Sequence, residues 1–152
     1  MTAPLTLTLG TRPIADLVAS LRHSSVRFNA YAEALLAAGR VQVAPVPRQV
    51  TVVVHTVGEI GWASGAPLDT VLRDVTGRSL APCPLEVALL LRLAWRDEVV
   101  SPRITVASNR TADEAQPRGF YLRDDPEGCW LRAYVASDDW VLAPEERLAF
   151  LR

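Results

Sequence analysis

Tyr121, Arg123, Trp130, Arg132 and Tyr134 fall on two runs of alternating character, Gly119 to Arg123 and Cys129 to Val135, joined by Asp124-Asp125-Pro126-Glu127-Gly128. Side chains alternate across a strand, so a hairpin of these runs carries all five on one face and Phe120, Leu122, Leu131, Ala133 and Val135 on the other. Aromatic rings and guanidinium groups on one surface can stack a planar ligand, a sugar or an exposed base while holding an anionic group. These five residues are the candidate binding site. The same face has two other uses: cross-strand pairs that stabilise a sheet, with arginine stems lying over rings, or a surface covered by Trp140 and its loop or by a partner subunit. If the face serves recognition, Trp130→Ala and Arg132→Ala leave the fold intact and abolish binding.

Nucleophilic chemistry has fewer parts. A thiol needs a base, and the base an orienting group; the residues available are Cys83, His55 and a carboxylate, Glu59 or Glu86. Cys83 precedes a helix whose dipole would lower its pKa, but no Gly-x-Ser-x-Gly elbow or cysteine-protease signature surrounds it. The plainer reading makes Cys83 a small residue at a helix start, His55 a strand residue, and Glu86 a first-turn carboxylate facing solvent. His23 falls at a helix C-terminus.

Acidic pairs recur at Asp113-Glu114, Asp124-Asp125, Asp138-Asp139 and Glu145-Glu146. Neighbouring acids on a strand point to opposite faces, and the EF-hand spacing is absent, so solvated loops account for them. Asp138 and Asp139, beside Trp140, are the pair closest to the aromatic strand. Two histidines and two separated cysteines outside any Cys-x-x-Cys pair make a poor transition-metal or redox centre. The sequence calls for no metal and no cofactor.

Composition narrows the field further. All 16 basic residues are arginine, which removes Schiff-base chemistry, the phosphate-binding loop ending in Gly-Lys-Ser/Thr and the kinase lysine. Gly58, Gly61 and Gly65 do not match the G-x-G-x-x-G dinucleotide spacing. The formal net charge of -1 gives no overall attraction to nucleic acid or an anionic membrane. No stretch reaches the roughly 18 apolar residues of a membrane span, and no leader pattern opens the chain, so the expected location is cytoplasmic with both thiols reduced.

A chain of 152 residues, 49% apolar and 22% charged, fits one domain with a single core. Leu5 to Leu9 reads as a strand. Thr11 and Pro13 open a helix to about His23, with Ile14, Leu17, Val18 and Leu21 as its apolar stripe. Asn29 caps a second helix, Ala30 to Ala38, stopped by Gly39, with Tyr31, Leu35 and Leu36 inward. Gln49 to Val57 is a buried strand. Pro67 starts a helix carrying Leu68, Val71, Leu72 and Val75, and Pro84 starts another, apolar nearly all round, that forms the centre of the core. From Arg103 the period changes to two, with strands at Arg103 to Ser108, Gly119 to Arg123, Cys129 to Val135 and Arg147 to Leu151. Asn109 to Arg118 is a polar loop.

The pattern predicts a single α+β domain, helix-rich over 1–98 and strand-rich over 99–152. Three to four helices pack on one face of a mostly antiparallel sheet whose C-terminal half is a hairpin-rich meander. The expected function is a small binding or adaptor module recognising a partner protein or ligand, or another copy of itself, through Tyr121, Arg123, Trp130, Arg132 and Tyr134. The alternatives are a cysteine- or acid-base-dependent enzyme using Cys83, His55 and a carboxylate, and a single-stranded nucleic-acid binder.

Overall fold

The computed structural model describes residues 3–152. In chain order the elements are β1 (Leu5–Leu9), α1 (Ile14–His23), β2 (Arg27–Phe28), α2 (Ala30–Ala37), β3 (Arg48–Thr56), β4 (Ala66–Pro67), α3 (Leu68–Asp74) continued by a 3₁₀ turn Val75–Arg78, α4 (Leu85–Ala94), β5 (Ile104–Val106), β6 (Gly119–Asp125), β7 (Gly128–Tyr134), β8 (Val141–Leu142) and β9 (Arg147–Leu151). Seven strands form one sheet in the order β1-β3-β9-β5-β6-β7-β2, while β4 and β8 make a separate pair. The large sheet is antiparallel except where β5 meets β9 and β2 meets β7. The fold is α+β. Among the described residues no helix is long and apolar enough to cross a membrane.

Alternation along β3 shows how the helices are distributed. Val50, Val52 and Val54 join a core built with Leu17 and Leu21 of α1, Ala32 and Leu35 of α2, and Leu85, Leu89 and Leu91 of α4. Val53, with Leu148 and Phe150 of β9, joins a second core built with Leu68, Val71 and Leu72 of α3. Successive side chains point to opposite faces, so α3 lies on the face away from the other three helices. This corrects the expectation of helices on one face only, and of one core: the β-branched run of β3 is apolar on both sides because both sides are covered. Each fully buried Leu or Phe contributes about 1.5–3 kcal/mol by leaving water.

The helix centred in the core is α4, as its all-round apolar pattern implies. Two polar residues on it are nevertheless buried. Glu86 is 2% exposed, with Oε1 accepting from the Gly10 amide at 2.8 Å and Oε2 from the Ala44 amide at 2.9 Å. It does not face solvent: the strand-to-helix corner at Gly10 and the connector before β3 both turn backbone N–H groups toward it. Gly10 is required there, because its φ is 79° and a Cβ would come within 2.9 Å of the Ala44 and Val46 carbonyl oxygens.

Arg92 is fully buried, pairing with Asp124 at 3.4 Å and donating through Nη2 to the Trp95 and Glu98 carbonyls. Asp124 in turn accepts from the Val100 amide at 2.6 Å. The pair ties the turn after α4 to the strand that carries the candidate site.

On α2 the inward residues are Ala32 and Leu35, whereas Tyr31 is 52% exposed. Asn29 holds the helix in a register that turns Tyr31 outward, contrary to the sequence expectation.

Candidate functional site

The hairpin pairs Tyr121 with Arg132, Arg123 with Trp130, and Gly119 with Tyr134. All five predicted residues therefore share one face, the face of α3 and not of α4. Pairing continues to Asp125 opposite Gly128, so the connection is the two residues Pro126-Glu127 and not a five-residue loop. Gly128, at φ 139°, supplies the positive φ that a tight hairpin needs.

Trp130 lies in a row across three strands, with Arg27 of β2 on one side and Arg123 of β6 on the other. The Arg27 guanidinium carbon is 4.5 Å from the indole centroid and that of Arg132 is 4.0 Å away. The indole Nε1 donates to Asp125 Oδ1 at 3.0 Å, and Asp125 Oδ2 lies 3.7 Å from Arg132. Burial alone would raise the Asp125 pKa, but the bonds from Trp130 and the Glu127 amide, with Arg132 nearby, outweigh it and hold the carboxyl below its usual value. Trp130 is only 8% exposed. Cation–π stacking has filled the indole faces from within the chain.

Tyr134 belongs to the second core. Its ring meets Tyr121 at 6.4 Å and Trp140 at 6.0 Å, both tilted. The opposing position is Gly119, where a Cβ would come within 3.3 Å of the Tyr134 hydroxyl. That hydroxyl is buried without a hydrogen-bond partner, and desolvation pushes its pKa up to about 12. Arg103 lies against both Tyr121 and Trp140 and pairs with Glu146 at 2.6 Å. Beside this cluster Asp138 accepts from Arg110 at 2.5 Å and from Arg118 at 2.8 Å, and those two bonds lower its pKa.

The five residues are thus brought together but are not equivalent. Trp130 and Tyr134 are buried, Tyr121 and Arg132 are half-buried, and Arg123 alone is exposed. Arg27, Arg103 and Arg132 each have a carboxylate within reach, at 3.9, 2.6 and 3.7 Å, whereas the Arg123 guanidinium makes no hydrogen bond or ion pair with any described residue. Trp130 and Tyr134 are buried against residues of their own chain, and truncating a side chain as buried as Trp130 is expected to cost stability. Cover by Trp140 applies to Tyr134, whereas Arg123 is exposed. Arg27 and Arg103 were missed because each lies outside the hairpin, and only the sheet order brings them alongside.

Cys83, His55 and the carboxylates are dispersed. Cys83 is in the α4-side core, its thiol donating to the Ala149 carbonyl at 3.5 Å and its pKa pushed up to about 12 by burial. His55 follows the parity of Val53 and opens to the other face, 3.8 Å from Glu59. Glu86 is engaged by Gly10 and Ala44. The acidic pairs divide likewise: Asp124 turns to Arg92 and Asp125 to Trp130. Among the described residues no three His, Cys, Asp or Glu side chains converge as a metal site. Comparison of the chain with family models, with curated proteins and with solved structures finds no match.

Proposed function

We propose that this protein is a small binding module that takes an acidic segment of a partner protein on the β6–β7 face, with Arg123 as the anchoring charge. The observation that carries this reading is the solitary state of Arg123: it is the exposed guanidinium of the face, beside Trp130 and Tyr121, with no carboxylate among the described residues paired to it. A planar guanidinium grips a carboxylate with two parallel bonds, and Arg is enriched where interfaces concentrate energy. Tyr121 and the Arg132 stem offer a flat amphipathic floor beside that charge, suited to the residue next to the partner's carboxylate.

The test is selection from a displayed random-peptide library against the immobilised protein, run in parallel with a random single-stranded oligonucleotide pool. The reading expects enrichment of Asp- and Glu-containing peptides that disappears with Arg123→Glu. Enrichment without acidic bias, enrichment unchanged by Arg123→Glu, or enrichment of oligonucleotides alone contradicts it.

A further inference from the structure

We propose that β1 is a self-association edge, where two copies of this chain pair antiparallel about a two-fold axis at Leu7 and join their sheets. The two ends of the large sheet are treated differently by the fold. At the β7 end, β2 supplies two residues of pairing, and the Asn29 carboxamide then bonds the Ala133 backbone in both directions at 3.0 Å. At the other end, β1 pairs with β3 on one side. On its other side the backbone bonds no described residue. Folded proteins blunt such edges with charges, prolines or bulges, because an unpaired row of N–H and C=O groups templates another strand. Leu5-Thr6-Leu7-Thr8-Leu9 contains none of these devices.

The sequence of the edge also matches itself. Antiparallel pairing about Leu7 sets Leu5 opposite Leu9, Leu7 opposite Leu7, and Thr6 opposite Thr8 of the second copy. Leucine then meets leucine on the core side and threonine meets threonine on the open side, with no charge opposing the contact, as a two-fold interface requires. The matched stretch ends where pairing must stop, at Pro4 and at Gly10, whose φ of 79° leaves the strand conformation. Thr6 and Thr8 are exposed, and their neighbours on β3, Thr51 and Gln49, are uncharged.

This arrangement makes a register-specific prediction for sedimentation velocity across a concentration series of the full chain. The native chain forms a dimer. T6K/T8K places lysine opposite lysine at both symmetry-related pairs and weakens dimerisation at least about tenfold. T6K/T8E, with as many substitutions at the same exposed positions, places lysine opposite glutamate at both pairs and restores it. Arg123→Glu leaves self-association unchanged, which separates this edge from the acidic-segment face. A native chain that stays monomeric at every concentration overturns the proposal. So does a dimer indifferent to T6K/T8K, or a T6K/T8E chain that dimerises no better than T6K/T8K while melting at the native temperature.

Discussion

Asn29 and Ala133 exchange two hydrogen bonds: the Asn29 Nδ2 donates to the Ala133 carbonyl, and the Ala133 amide donates to Asn29 Oδ1, both at 3.0 Å. The same Oδ1 also accepts from the Ala32 amide at 2.9 Å as the cap of α2. One side chain therefore starts a helix and ends a sheet. It continues the pairing of β7 past the two residues of β2, next to Arg132 and Tyr134, and so fixes the strand that carries three of the five predicted site residues.

Asn29→Ala should lower stability by about 2–4 kcal/mol, the sum of a lost N-cap and two buried backbone groups left unsatisfied. Asn29→Asp keeps both accepted bonds, with the Ala32 and Ala133 amides, but turns a carboxylate oxygen against the Ala133 carbonyl, so it should retain the cap of α2 while still weakening the pairing with β7. Urea unfolding of the native chain and both variants checks this; an Asn29→Ala chain as stable as the native one would show that neither the cap nor the pairing with Ala133 contributes.

Glu86→Gln should cost about 1–3 kcal/mol, because an amide can accept from only one of Gly10 and Ala44 and turns its NH₂ against the other N–H. Gly10→Ala should be at least as damaging, given its φ of 79° and the 2.9 Å contacts a Cβ would make. Wild-type thermal unfolding of Glu86→Gln would contradict the assigned buried carboxylate.

Asp138 and Tyr134 both make the stability of the fold depend on pH, at opposite ends of the scale. Asp138 has a pKa lowered by Arg110 and Arg118, so it stabilises the folded state above the ordinary carboxylate pKa of about 3.9, and that stabilisation fades as pH falls toward the depressed value. Tyr134 is the opposite case. An unfolded tyrosine ionises near pH 10, whereas the buried hydroxyl holds its proton to about 12, so stability should fall as pH rises through that window. Phenolate absorbance should show Tyr134 ionising late in the native chain, and Tyr134→Phe should remove this alkaline loss. A Tyr134 phenolate that forms near pH 10 in the native chain would contradict the assignment.

Thiol labelling should find Cys83 unreactive until the chain unfolds, since burial pushes its pKa up to about 12 and Cys129 stands at about 11. Fast native-state modification of Cys83 would reopen cysteine chemistry for this chain.

Much of this architecture was legible in the residues. Period-two alternation located the hairpin and put Tyr121, Arg123, Trp130, Arg132 and Tyr134 on one face, and Asn29 was readable as a cap. What alternation cannot give is which strands become neighbours. Arg27 reaches Trp130 through a two-residue parallel pairing and Arg103 reaches Tyr121 across the sheet, both long-range relations without a local signal. The burial of Arg92 and Glu86 was hidden for the same reason, because their partners Asp124, Gly10 and Ala44 are distant in sequence. The apolar run of β3 is compatible with cover on both faces but does not say which element supplies the second, so the position of α3 comes only from the fold.

Equilibrium binding of an enriched acidic peptide to the native chain and to Arg123→Glu tests the role of Arg123 most directly. Arg123→Glu should lose at least about tenfold in affinity with an unchanged melting temperature, and binding to the native chain should weaken as salt rises. Equal affinity for the two proteins would contradict the assignment of this face.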